Sequence, residues 1–255
     1  LGGRQYSTTL VVAPEMAYYP LDDESQAEAA SLGFDADLFE NKQRGLGQKR
    51  RWGLFLPLYA MRRKGRKSVA DLGDLEDMIS WVAEKGGDFV STLPMLASFL
   101  DQPYQPSPYV PISRLFWNEI FLNLDAIPEW EGCPEARSLA ENIDINGAAS
   151  LGLRDPDPCL ADSDPSKWLD YGQEMAAKRL VLEAMLAHLE ASGSDRLRDF
   201  EAFVIEEKET ARYAAFRAVA EKRNEPWSIW PKTMKNGSLR KQSYQSDVQR
   251  YHLYV

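Results

Sequence analysis

The stretch from Asp88 to Leu124 constrains the chain more than any other. It opens with a short apolar run, Phe89-Val90-Ser91-Thr92-Leu93, closed by Pro94. A run of that length, rich in β-branched and aromatic residues, predicts a buried strand. Pro103, Pro106, Pro108 and Pro111 follow at short intervals. Proline fixes φ and biases its predecessor away from helix, so these residues predict a stiff, extended loop. A loop at the carboxyl end of a parallel strand is where α/β proteins place ligand chemistry. The aromatic segment Leu115-Phe116-Trp117-Asn118 then predicts an anchor, with Phe116 and Trp117 in the core and Asn118 bonded to nearby backbone.

Upstream, Leu54–Leu56 is a short apolar strand closed by Pro57. Ser68 or Asp71 can cap a helix carrying Leu72, Leu75, Met78, Ile79 and Val82 on one face, stopped by Gly86-Gly87. With Phe89–Leu93 this makes a β-α-β unit, which implies a parallel sheet. Spacing alone leaves a doubly wound sheet and a (β/α)8 barrel both open. Downstream, Trp168, Tyr171, Met175, Leu182, Leu186 and Leu189 keep to one helical face until Gly193. Phe200, Phe203, Val204 and Ala211 to Val219 continue in that style, and residues 130–165 read as irregular loop. At the end, Val248, Tyr251, His252 and Val255 share a helical face.

The motifs Ser107-Pro108-Tyr109 and Ser113-Arg114-Leu115-Phe116-Trp117-Asn118 resemble the signature of the 4-α-glucanotransferase (amylomaltase, or disproportionating enzyme) family. Trp52–Ala60, Asp71-Leu72-Gly73-Asp74, Gly86–Val90 and Pro226-Trp227-Ser228-Ile229-Trp230-Pro231 extend the resemblance, in the family's order, from about residue 50 to the end. Ser68-Val69-Ala70 departs from it, standing where the family has Gly-aromatic-Gly character. The resemblance implies the fold class: the first strands of a (β/α)8 barrel with a large helical insertion, preceded by the end of a β-rich module. The expected segments are 1–20 as that module's last strand, 21–50 as linker and 51–109 as the first β-α-β with its substrate loop. Residues 110–235 are the expected helical insertion, and 236–255 the start of a truncated helix packing on the barrel.

In function the resemblance implies transfer of α-1,4-glucan segments between maltooligosaccharides by a retaining double displacement. It matches Tyr109 to a residue that contacts the glucose beside the scissile bond. A phenol suits that role, with a flat apolar face for the ring and a hydroxyl for one of its oxygens. Ser107 is the second candidate substrate-binding residue, either orienting the loop or bonding a sugar hydroxyl. Retention needs two carboxyl groups about 5–5.5 Å apart, and no catalytic residue is assigned in this chain. Its acids read as solvated, with Asp71 and Asp74 as helix caps. The resemblance puts the nucleophile and acid/base beyond Val255, so the chain reads as an incomplete, inactive part of the enzyme with poor solubility. A non-catalytic carbohydrate-binding or scaffold module is the alternative, and an α-glucan hydrolase the near alternative.

Composition excludes several classes. A net charge of −9 argues against non-specific nucleic-acid binding. No apolar run approaches the roughly 18 residues that span a bilayer. Cys133 and Cys159 stand apart among loop-like residues, so a reducing, cytoplasmic setting is expected. His188 and His252 lie singly on helices, and no cluster has metal-ligand spacing, so no metal or cofactor is expected. Arg62–Lys67 reads as a solvated basic loop, and Trp227 and Trp230 as packing residues.

Overall fold

Gly53–Phe55 (β1) and Phe89–Ser91 (β2) pair in parallel, Gly53 opposite Phe89 and Phe55 opposite Ser91. The computed structural model describes residues 51–63, 67–101, 104–153, 169–237 and 239–255. The readings of 1–20 as strand and 21–50 as linker lie outside those residues, as do Lys64 to Arg66, Cys159 and Trp168. Leu72–Glu84 (α1) joins β1 to β2, so the β-α-β unit is present. Gly53 is required at the pairing, because the Phe89 ring lies across it. A Cβ there would sit 2.6 Å from ring carbons of Phe89 and press on its carbonyl oxygen.

Two expectations for this unit are corrected. The second strand, read as buried, is not, since Phe89 is 53% exposed, and Phe55 on β1 is 59% exposed. A two-stranded parallel sheet has two open outer edges among the described residues and cannot bury both faces. On α1, Met78 and Val82 are buried as expected, whereas Leu72 and Ile79 are exposed. The inward stripe runs through Asp71, Asp74, Met78 and Val82 instead, at the three- and four-residue steps that a helix needs. Leu72 and Ile79, seven apart, share a neighbouring face.

Among the described residues the remaining α-helices are Pro134–Asn146 (α2), Tyr171–Ser192 (α3), Asp195–Glu206 (α4), Lys208–Arg223 (α5), Lys232–Lys235 (α6) and Ser246–Tyr254 (α7). α2 corrects the reading of 130–165 as irregular. It begins with Pro134 at its first turn, where a missing N–H costs nothing, and ends at Gly147 with φ 84°.

α3 is the hub of the helical part. Asp170 caps it by accepting from Gln173 N–H at 3.1 Å, and Gly193 ends it in the left-handed region. Ala177, Val181 and Met185 pack against Cys133, Ala136, Ala140 and Ile143. On another side, Leu182, Leu186 and Leu189 meet Phe200, Ala214, Tyr251 and Leu253. At its start, Met175 joins Leu58, Val69, Leu100, Ile120 and Phe121, which ties α3 to the β-α-β unit. Burying one such aliphatic side chain contributes roughly 1.5–3 kcal/mol, so α3 is held mainly by packing on several sides. Among the described residues, no helix is long and apolar enough to cross a membrane.

Candidate functional site

The segment after β2 is more ordered than an extended loop. Its incoming arm, Met95–Phe99, runs antiparallel to its outgoing arm, Ile112–Asn118. Ala97 N–H donates to Phe116 O at 2.9 Å, Asn118 N–H to Met95 O at 2.9 Å and Ile112 N–H to Ala97 O at 2.7 Å. Gln105 N–H closes onto Phe99 O at 2.7 Å. Pro106, Pro108 and Pro111, which cannot donate to a ladder, sit outside this bonding and leave a short ribbon with a turn at its far end. In that turn Val110 N–H donates to Ser107 O at 3.1 Å. The Ser107 hydroxyl accepts from Tyr109 N–H at 3.4 Å, and Ser107 N–H donates to Gln105 Oε1 at 3.3 Å. Ser107 therefore organises the turn, and Tyr109 projects from it 69% exposed.

Ribbon geometry also decides which aromatics anchor it, because successive side chains alternate faces. Phe116 points inward and stacks on Tyr213 of α5, with centroids 4.1 Å apart and planes 12° from parallel. Asn118 is buried: its Nδ2 donates to Ser98 Oγ at 2.7 Å and its Oδ1 accepts from Ile120 N–H at 3.1 Å. Trp117, between them, points outward and is 68% exposed, and Leu115 two residues earlier is exposed as well, which corrects the expected core role of Trp117. A pocket of about 80 Å³ lies beneath the ribbon, lined by Tyr59, Pro94, Leu96, Ser98, Pro106 and Pro108 among others.

Several acids are buried, namely Asp71 and Asp74, read as caps, and Glu119, Glu129 and Glu174, which corrects the solvated reading of the last three. The first two cap α1 as expected. Asp71 accepts from Gly73 and Asp74 N–H, while the Asp74 carboxylate accepts from Asp71 N–H at 2.9 Å and pairs with Arg63 at 2.7 Å. Arg62 and Arg63 are exposed but engaged, Arg62 donating to the carbonyls of Tyr59 and Met61. Of the tryptophans near the end, Trp230 is buried and donates to Glu225 O at 3.1 Å. Trp227 is exposed, which corrects its packing role.

A larger cavity of about 380 Å³ opens between the start of α1, α2 and α3, with Glu174, Lys178, Asp144, Arg137 and Trp130 in its wall. Burial pushes the Glu174 carboxyl up to about 7, against the opposing bond from Val69 N–H at 3.2 Å and the charge of Lys178. Lys178 donates to Ile120 O and Leu122 O at 2.6 and 2.5 Å, and Ser68 donates to Asp144 at 2.6 Å. Periodicity hid Glu174, since it sits one step from Met175 on a helix read for its apolar positions.

His252 is not alone. It is buried against Glu221, which also takes Arg179 at 2.8 Å. Burial, helped by the nearby Arg217 guanidinium, pushes its imidazole down to about 3. Among the described residues, no group of three or more His, Cys, Asp or Glu is placed to hold a metal ion.

These elements have close counterparts. The 4-alpha-glucanotransferase of Mycobacterium tuberculosis is 29% identical over 199 residues, covering 75% of this chain and 25% of that protein. Those of Haemophilus influenzae and Chlamydia caviae are 26% and 28% identical over 190 and 189 residues. They cover 74% and 73% of this chain, and 22% and 32% of their own lengths. The chain thus spans between about a fifth and a third of the curated relatives it matches. A profile described as 4-alpha-glucanotransferase, of glycoside hydrolase family 77, matches residues 56–255, from just after β1 through α7. On a match of that extent, the chain belongs to the 4-alpha-glucanotransferase family.

Proposed function

We propose that this chain is part of a 4-α-glucanotransferase that moves α-1,4-glucan segments between maltooligosaccharides. One observation supports this reading above others. The family match, which begins just after β1, takes in α1, β2 and the Ser107-Pro108-Tyr109 turn, and that turn presents an exposed tyrosine on an anchored ribbon. In this reading β1, α1 and β2 begin a (β/α)8 barrel, and the ribbon stands at the carboxyl end of β2, on the face where barrels bind substrates. Tyr109 lays its ring against the glucose beside the scissile bond and offers its hydroxyl to a sugar oxygen. Ser107 holds the turn in shape.

The chemistry is a retaining double displacement. A carboxylate attacks the anomeric carbon while a carboxylic acid protonates the leaving oxygen. The glucosyl-enzyme is then opened by the 4-hydroxyl of an acceptor sugar instead of water. No residue of this chain is assigned to either carboxyl role; the reading places both in the remainder of the full-length protein. The chain's own contribution is to bind and orient, which converts binding into correct placement of the reacting atoms.

The test is incubation of the full-length gene product with maltotriose. Glucose together with oligomers longer than the substrate supports the transferase. Glucose and maltose alone would replace it with the hydrolase, and binding without turnover would replace it with a carbohydrate-binding module.

A further inference from the structure

We propose that Arg217 of α5 is a positioning residue for the ribbon that carries Tyr109, clasping both of its arms at once. Arg217 is 2% exposed. From one nitrogen, Nη2, it reaches Asp101 on the incoming side at 3.2 Å and Glu119 on the outgoing side at 3.4 Å. The same guanidinium lies 5.8 Å from the centre of the Phe99 ring. Its Nη1 donates to the Tyr213 hydroxyl at 3.1 Å, and Tyr213 is the ring on which Phe116 stacks. Phe216 approaches Phe99 with centroids 6.4 Å apart. Tyr213, Phe216 and Arg217 stand at i, i+3 and i+4, one face of α5, and that face grips the ribbon at Phe99, Asp101, Phe116 and Glu119.

The chemistry favours arginine here. Nη2 serves the two carboxylates while Nη1 serves the Tyr213 hydroxyl in the same plane, a spread of fixed N–H directions that lysine's single nitrogen lacks. In a buried site such a pairing is sensitive to geometry, because a misplaced partner loses its bond without gaining water. The ribbon base is thereby fixed, and the turn at Ser107–Val110 inherits that placement through the bonds at Ala97, Ile112 and Gln105.

The proposal rests on the reading of Tyr109 as a glucan contact, and the experiment separates the two. In the full-length protein, Arg217→Lys keeps the charge and loses the fork. Tyr213→Leu removes the stack and leaves the ion cluster, and replaces Arg217→Lys should that variant not fold. Each is made with and without Tyr109→Ala. Kinetics of maltotriose disproportionation are read as kcat and KM, and amide exchange is followed at Ala97, Ile112 and Asn118. The expected result is at least a tenfold fall in kcat/KM with Tyr109 present, less than a twofold change with Tyr109→Ala, and faster exchange at those amides. Equal losses in both backgrounds, or unchanged exchange, would overturn the clasp. A wild-type protein that does not act on maltotriose, or a silent Tyr109→Ala, would overturn the glucan reading instead, and exchange at the three amides would then decide the clasp alone.

Discussion

Replacing Glu174 by glutamine removes one titration from the core while keeping the side chain's shape and an acceptor for Val69 N–H. Its carboxyl is raised from 4.5 to about 7. The folded protein therefore binds a proton more readily than the unfolded chain. Stability from this group is complete below about pH 4.5 and is lost as pH rises through about 7. Each unit corresponds to about 1.4 kcal/mol, so the total is about 3 kcal/mol. The residue is only 7% exposed, so solvent screening leaves that figure standing as an order of magnitude. His252 has the opposite sign. Its imidazole is lowered from 6.5 to about 3, so its contribution is present above about 6.5 and lost as pH falls. The two oppose each other over the acidic range and flatten the wild-type profile there. Subtracting wild type from Glu174→Gln cancels the histidine and every other shared titration. Urea unfolding followed by far-ultraviolet circular dichroism, at about pH 4 and about pH 8, gives that difference by linear extrapolation. The variant should gain about 3 kcal/mol on the wild type between the two conditions. A gap that stays constant within about 0.5 kcal/mol, or that moves the other way, would refute the burial argument.

Further outcomes follow from single contacts. Gly53→Ala should destabilise by roughly 1–3 kcal/mol, the usual cost of overpacking, seen as a lower melting temperature, since its methyl group meets the Phe89 ring. Asp71→Ala should cost about 1–2 kcal/mol in denaturant unfolding by removing the N-cap of α1. Tyr109→Ala should leave the melting temperature within about one degree, because surface changes cost little. In the full-length protein the same change should lower kcat/KM on maltotriose about tenfold to a hundredfold, the scale of one lost sugar contact. Val181→Ala at the α2–α3 seam should cost about 1–3 kcal/mol in the same unfolding assay, since the residue is fully buried.

Periodicity made α3, α5 and α7 legible, because large apolar residues recur there at helical steps and Gly193 and Asn224 end the first two in the left-handed region. α2 was hidden because its buried positions are Ala136, Ala140 and Ile143, and alanine at core spacing is a weak signal among charged neighbours. The Ser107-Pro108-Tyr109 turn was visible as a motif, whereas the ribbon below it was not. Its bonds join backbone atoms some twenty residues apart, which composition does not record. Trp117 and Trp227 were misplaced for a related reason: size alone predicts burial, but the alternation of a ribbon and the path of a turn decide which side a residue faces. Arg217 and the partners of His252 were missed because a polar residue on an apolar helical face looks like an interruption until its partners from other segments are known.

The ribbon separates two jobs along its length. Its base is committed to the body through backbone bonds and the Phe116–Tyr213 stack, while the turn at Ser107–Val110 makes few bonds beyond itself. Residues at that tip can therefore be exchanged as a cassette, altering what the protein grasps without renegotiating how it folds.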